Sequence, residues 1–281
     1  MEFLPVRCDA LAYEEYLALF ASSFGHVGKY TSAYLDWLYR RNPDGQVVGF
    51  DARDGDRLAA HYVCTAARAS VGGQEVRVLL SLNTATHPDY QGRGLFTKLA
   101  EKTYAAGAAS GYDAVYGIAN ANSTPGFTRK LGFQLVMPLR ACVGIGGLGI
   151  DHSRIGGVGF RRRWSAQALA WRCENPSNTV RVRHATGRTV FLAPALLRGA
   201  CQATAELQDV DAPAATAGFA SPLRLFIGVI PPQMQGAALY ADIPARWRPS
   251  PLNMIYRSLS GRVGSIDSQS VYLNFLDFDA Y

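Results

Sequence analysis

The chain is poor in cysteine and lysine, and it has no long hydrophobic run. The five cysteines (Cys8, Cys64, Cys142, Cys173, Cys201) are widely scattered, odd in number and nowhere spaced as CxxC. That excludes a disulfide framework or a zinc cage, and it fits a reducing cytoplasm. Each cysteine reads as a small buried hydrophobe. No apolar run reaches the roughly 18 residues that cross a bilayer. The opening MEFLPVRCDALAYEEY lacks a basic segment followed by an apolar one, so no secretory signal is expected. Neither sign of charge dominates, with 28 Lys and Arg against 22 Asp and Glu in 281 residues. At 48% hydrophobic and 18% charged, the composition is that of a globular chain of one large or two modest domains.

The cations that are present are unevenly placed. All four lysines precede residue 141, whereas the 14 cations after it are all Arg. Arg suits planar carboxylate and phosphate groups. A solvated face explains the same bias, and Arg161-Arg162-Arg163 is too short a cluster to stand as a nucleic-acid motif. No nucleic-acid, membrane or metal site is expected.

Helix and strand signals alternate. Ala10–Ser22, with Asp9 as N-cap, and Thr31–Arg40 carry helical spacing; the turn Asn42-Pro43-Asp44-Gly45 follows. Val47–Ala52 and Leu58–Ala66 read as strands around Asp54-Gly55, and Glu75–Thr86 as a long strand after Gly72-Gly73. Gly94–Ala106 predicts a helix, Asp113–Ile118 a strand, Pro125–Leu131 a short helix and Phe133–Met137 a strand. This order argues an α/β fold with at least one parallel pair. Val143–Gly159, with seven glycines, reads as a mobile linker; its GIGGLG lacks the strand and helix that a dinucleotide loop needs. Beyond it the chain partly repeats. Trp37 to Asn42-Pro43 resembles Trp171 to Asn175-Pro176, and each leads to two strand candidates around a Gly turn. Leu223–Ile230 and Val271–Phe278 are the later strand candidates. The divisions expected are 1–142, a linker at 143–160, and a smaller α/β lobe at 161–281.

The segment that carries chemistry is Ser81 to Leu99, where a strand leaves into Gln91-Gly92-Arg93-Gly94 and opens directly into a helix. Amides at a helix start lack intrahelical partners, and the dipole adds positive charge. Together they favour a pyrophosphate. Gly92 and Gly94 let the backbone approach such a ligand, and Arg93 offers a charged rim. The loop matches neither an ATP P-loop nor GxGxxG, and alone it also fits a plain strand–helix turn.

It is followed by Ile118-Ala119-Asn120-Ala121-Asn122-Ser123-Thr124-Pro125-Gly126-Phe127-Thr128-Arg129-Lys130-Leu131-Gly132-Phe133. The two blocks, in this order, resemble the acyl-CoA signature and the second block of the GNAT superfamily of N-acetyltransferases. Phe96 stands where the family has a small residue. The resemblance spans roughly residues 45–140. It implies a mixed central sheet with splayed parallel strands flanked by helices. Acetyl-CoA or another acyl-CoA is then the donor. Thr84, Ala85 and Thr86 would hold the pantetheine arm, and the amides of Gln91, Gly92, Arg93, Gly94, Leu95 and Phe96 the pyrophosphate. Asn122, and Asn120 after it, would touch the CoA arm or cap the Pro125 helix.

The reaction implied is acyl transfer from thioester to amine. It needs a neutral amine, a polarised carbonyl and a proton for the thiolate. Thr128 occupies the family's usual tyrosine place and is a poor acid. Asn83 can orient an amine or a water. His87 stands as a base or as a residue that positions the loop, and His61 as a buried, satisfied imidazole. The terminal carboxylate at Tyr281 is a further base candidate. The acceptor expected is a small-molecule amine, with an amino sugar or a nucleotide-linked amino sugar as the narrower reading. Tyr34, Trp37 and Tyr39 either stack on it or pack the first helices. A homodimer is a further expectation. The alternative function is a catalytically impaired CoA-binding domain serving as sensor or partner.

Overall fold

Side-chain caps set the helix starts. Asp9 accepts from the Ala12 amide at 2.9 Å, Thr31 from Tyr34 at 3.1 Å and Ser165 from Ala168 at 3.1 Å. The computed structural model describes residues 1–25 and 28–279. In chain order the elements are β1 (Glu2–Pro5), α1 (Ala10–Phe24), α2 (Ser32–Tyr39), β2 (Val48–Asp54), β3 (Arg57–Val71) and β4 (Gln74–Thr86). Then come α3 (Leu95–Ala109), β5 (Ala114–Ala119), α4 (Thr124–Lys130), β6 (Gln134–Pro138), β7 (Arg140–Ile145) and β8 (Phe160–Arg163). The remainder is α5 (Ala166–Cys173), β9 (Arg181–Ala185), β10 (Arg188–Leu196), β11 (Cys201–Leu207), β12 (Leu223–Gly228), β13 (Leu239–Asp242) and β14 (Asn253–Ser258). The fold is α/β, as the alternation of signals implies.

Two sheets form, and each takes a strand from the other half of the chain. The first runs β1-β2-β3-β4-β5-β14-β6, with β8 also on β3; the second runs β13-β7-β12-β11-β10-β9. Corresponding strands pair alike. β4 and β5 are parallel, as are β11 and β12, and each parallel pair is flanked by antiparallel neighbours. After β6 the chain leaves to place β7 between β12 and β13; after β13 it returns to place β14 between β5 and β6. Met254, Ile255 and Tyr256 on β14 are fully buried. The sheets therefore do not divide at 143–160, and residues 1–142 lack a strand of their own sheet. The Gly-rich stretch is likewise not a mobile linker at its start. Gly144 lies in β7, where a Cβ would come within 2.1 Å of the Leu239 carbonyl oxygen.

The two similar segments meet in three dimensions. Trp37 and Trp171 stack with ring centroids 4.6 Å apart, and each indole N–H donates to the other's carbonyl, at 2.8 and 2.9 Å. Asn42 Oδ1 accepts from the Asp44 amide and Asn175 Oδ1 from Ser177, so both Asn-Pro turns close the same way. Trp37 thus packs between halves rather than facing an acceptor, and Tyr34 and Tyr39 are buried beside it.

Residues 271–278 form no strand of the expected length. They make bridges at Val271 and Leu273 and a short 3-10 turn at Phe275–Asp277. Leu273 exchanges both backbone hydrogen bonds with Val229, beyond the end of β12, and the Tyr272 hydroxyl donates to the Glu206 carbonyl on β11. The tail therefore fills the gap between β11 and β12, which corresponds to the cleft between β4 and β5. Buried cations grip it. Arg172 donates to the Phe278 carbonyl at 2.8 Å, and Arg162 binds the Tyr116 hydroxyl, which donates to the Asp277 carbonyl. Arg162 is therefore a core residue and no part of a basic surface.

Burial pushes the Asp277 carboxyl up to about 6, against the opposing pull of Arg162 and bonds from Asn274 and Trp164. A carboxyl raised on folding binds its proton more tightly in the folded chain. Stability is then greatest with Asp277 protonated, and it falls as pH rises from about 4 to about 6. The full cost at neutral pH is on the order of 3 kcal/mol. The melting-temperature advantage of the native chain over Asp277→Asn should grow between pH 7 and pH 5; a pH-independent difference would contradict this.

Candidate active site

β4 bends where the site begins. Its register against β3 gains a residue between Leu82 and Ala85, and Asn83 takes a left-handed φ of +45°. A buried chain of bonds supports the bulge. Asp51 Oδ1 lies 2.6 Å from His61 Nδ1, His61 Nε2 lies 2.9 Å from the Tyr39 hydroxyl, and Asn83 Nδ2 donates to that hydroxyl at 3.1 Å. Tyr16 donates to the other Asp51 oxygen at 2.8 Å. His61 is thus fully buried with both ring nitrogens engaged, as its strand position implies. Sequence reasoning missed the roles of Asp51 and Tyr39, because their only signal is burial, which three separate elements create.

β4 and β5 pair in parallel from Val78/Ala114 to Ser81/Gly117 and then part. The edge of β4 from Leu82 to Thr86 has no β5 residue beside it. Between the parted strands lies a cavity of about 520 Å³. Ser81, Asn83 and Thr84 line it from β4, and Ala119, Asn120, Ser123 and Phe127 from β5 and α4. Phe24, Lys29 and Tyr30 close it on the α1–α2 side, and Phe278 and Asp279 of the tail complete it.

At the rim, β4 leads through the 3-10 turn Pro88–Tyr90 to the loop. Gly92 and Gly94 have φ of +77° and +71°, and a Cβ at either would stand in open space. The first helical bond runs from the Lys98 amide to the Gly94 carbonyl, so the amides of residues 92–97 point outward without acceptors among the described residues. Arg93 donates to the Asp89 carbonyl at 2.9 Å and lies over the Tyr90 ring, so it borders the loop. The Gln91 side chain reaches back toward the Thr86 carbonyl, at 3.5 Å. The Leu95 side chain is buried, and the Phe96 ring packs edge-on to Tyr62 and Phe127, away from the loop.

The catalytic candidates separate. Asn83 is on the cavity wall. His87 is not: its Nδ1 accepts from the Asp89 amide at 3.2 Å, and Arg57 lies 3.0 Å from its Nε2. It caps the turn. Thr128 is also off the wall, its hydroxyl donating to the Thr124 carbonyl at 3.0 Å. Asn122 is exposed and does not line the cavity; Asn120 does, and its Oδ1 caps the start of α4 through the amides of Asn122 and Ser123. Tyr281 lies outside the described residues.

Asp279 emerges instead as the carboxylate among the described cavity-lining residues. Its Oδ2 accepts from the Tyr34 hydroxyl at 2.5 Å and from Lys29 at 2.8 Å. Burial pushes its carboxyl up, but Lys29, Arg172 and these bonds outweigh burial and hold it below the usual carboxylate range. It is an anion at neutral pH.

Among the described residues no cluster of His, Cys, Asp or Glu could hold a metal, and no helix is long and apolar enough to cross a membrane.

The family model described as an acetyltransferase (GNAT) domain matches residues 8–136. No curated protein matches the chain in sequence. Solved structures with a similar fold include a GCN5-related N-acetyltransferase from Kribbella flavida, 15% identical, with a TM-score of 0.61 over 92% of this chain and 72% of that one. Another is a probable N-acyltransferase from Enterococcus faecalis, 13% identical, with a TM-score of 0.58 over 92% and 72%. Eis1 from Mycobacterium abscessus is 12% identical, with a TM-score of 0.54 over 75% of this chain, which spans 60% of Eis1. At such identities the likeness is one of fold, and it agrees with the mixed sheet and its parted parallel strands. Residues 8–136 thus resemble an acetyltransferase domain of the GNAT family in sequence and in fold.

Proposed function

We propose that the protein transfers an acyl group from acyl-CoA to a primary amine of a small molecule. The observation that carries this reading is the continuity of three features: six outward amides at residues 92–97, the unpaired β4 edge at 82–86, and the cavity where the strands part. A diphosphate fits the first, since two glycines leave room where a side chain would intrude. An amide-bearing arm fits the second, as an added strand. The thioester then lies beside the bulge, where a β4 amide polarises its carbonyl.

The amine nitrogen attacks that carbonyl carbon; the C–N bond forms, the C–S bond breaks, and the amine's proton leaves with the thiolate. Asn83 is placed to orient the amine. The Lys29–Asp279 pair makes the α1–α2 end of the cavity polar, with the Tyr30 and Phe24 rings beside it. Those features accommodate an amino sugar, with its amine toward the carboxylate and its C–H face toward an aromatic ring. A nucleotide-linked sugar is less well served. Lys29 is the one cation among the described lining residues, and Asp279 already neutralises it.

Thiol release from acyl-CoA in the presence of a panel of amines tests the reading. Acceptor-dependent release is expected. Tight CoA binding with no release for any amine would favour the alternative, a sensor or partner domain.

A further inference from the structure

The cavity is not uniform. Its lining holds the Lys29–Asp279 pair and, besides it, an apolar set made of Leu80, Leu82, Ile118, Ile227, Leu252 and Phe278. Leu80, Leu82 and Ile118 belong to β4 and β5 on either side of the Ser81/Gly117 pair, the last before the strands part. Ile227, Leu252 and Phe278 come from the second half of the chain. Four of the six, Leu82, Ile118, Ile227 and Leu252, are only partly buried, although they pack on the core beneath. An apolar recess therefore sits at the deepest point of the cleft. It is walled jointly by both halves of the chain.

Where the recess lies decides what enters it. An arm that pairs with the free β4 edge and runs inward from Thr86 ends beside Ser81, because the strands close there. Whatever is attached to the end of that arm is delivered between Leu82 and Ile118. The amine comes from the other side, past Lys29 and Asp279. A two-carbon acyl group leaves most of this wall in contact with water, and burying such a wall is what a hydrocarbon chain would do.

We infer that the recess is an acyl-chain subsite and that the preferred donor carries an acyl group well beyond acetyl, of about six to eight carbons, rather than acetyl-CoA itself. This rests on the proposed reading that acyl-CoA occupies the cleft. The tail and β12 thus set chain length through Phe278 and Ile227.

Calorimetric titration of the full chain with CoA and with acetyl-, butyryl-, hexanoyl- and octanoyl-CoA needs no acceptor. Each methylene that enters the recess should tighten binding by up to roughly fourfold, so hexanoyl-CoA should bind at least about tenfold tighter than acetyl-CoA. Ile227→Trp fills the recess from the second half and should flatten the series relative to CoA measured on the same variant. If that variant does not fold, the native series alone decides. Equal affinity for acetyl- and hexanoyl-CoA overturns the inference, and so does a series that survives Ile227→Trp in a folded protein. Failure of CoA itself to bind would overturn the proposed function instead.

Discussion

A chain cut after Cys142 should not fold. The fragment keeps every element from β1 to β6, yet it loses β14, which hydrogen-bonds β5 on one side and β6 on the other. With it go Met254, Ile255 and Tyr256, each at most 1% exposed. Losing even one large buried side chain costs about 2–5 kcal/mol. Three at once cost about 6–15 kcal/mol, and with two strand edges left unpaired the loss is comparable to the whole of the roughly 5–15 kcal/mol that holds a domain together. The cut also severs β7, so the second sheet loses the strand between β12 and β13. Circular dichroism and amide exchange on residues 1–142 should show no cooperative unfolding. A cooperative, protected fragment would mean that β14 is an accessory rather than a member of the sheet.

Gly94→Val should weaken CoA binding by about 100-fold or more while the protein still folds. Gly94 caps α3 with a φ of +71°, and the space a Cβ would occupy holds no protein atom. The fold therefore suffers mainly the left-handed backbone, about 1–2 kcal/mol. The β-branched side chain would point into the space that the outward amides face, the space assigned to the diphosphate. A small drop in melting temperature with a large loss of CoA affinity is the expected pair of results. Unchanged affinity in a folded variant would place the diphosphate elsewhere.

The site was legible in the sequence wherever its geometry is local. Gly92 and Gly94 between a strand and a helix imply outward amides without reference to any other segment. The similar stretches around Trp37 and Trp171 marked two segments that the fold stacks on each other. What could not be read depends on contacts between segments far apart in the sequence. β14 has no strong pattern of its own; its place is defined by β5 and β6. Phe278 and Asp279 reach the cavity only because Leu273 bonds to Val229 and Arg172 holds the Phe278 carbonyl. The expected strand at 271–278 failed for the same reason. Its alternating apolar residues fill the gap between β11 and β12, where the backbone turns at Phe275–Asp277 instead of running straight. His87 positions the loop, one of its two expected roles, and the Thr128 hydroxyl is bonded within its own helix, away from the cavity lining.

That filled gap also fixes a number. One half of the chain keeps its parted strands open and the other closes them with its own tail, so a single CoA should bind per chain. Calorimetric titration of the native protein with CoA tests the central claim most directly. The account predicts saturable binding of one molecule per chain, lost in Gly94→Val. Absence of heat with saturating CoA, or two molecules bound per chain, would contradict it.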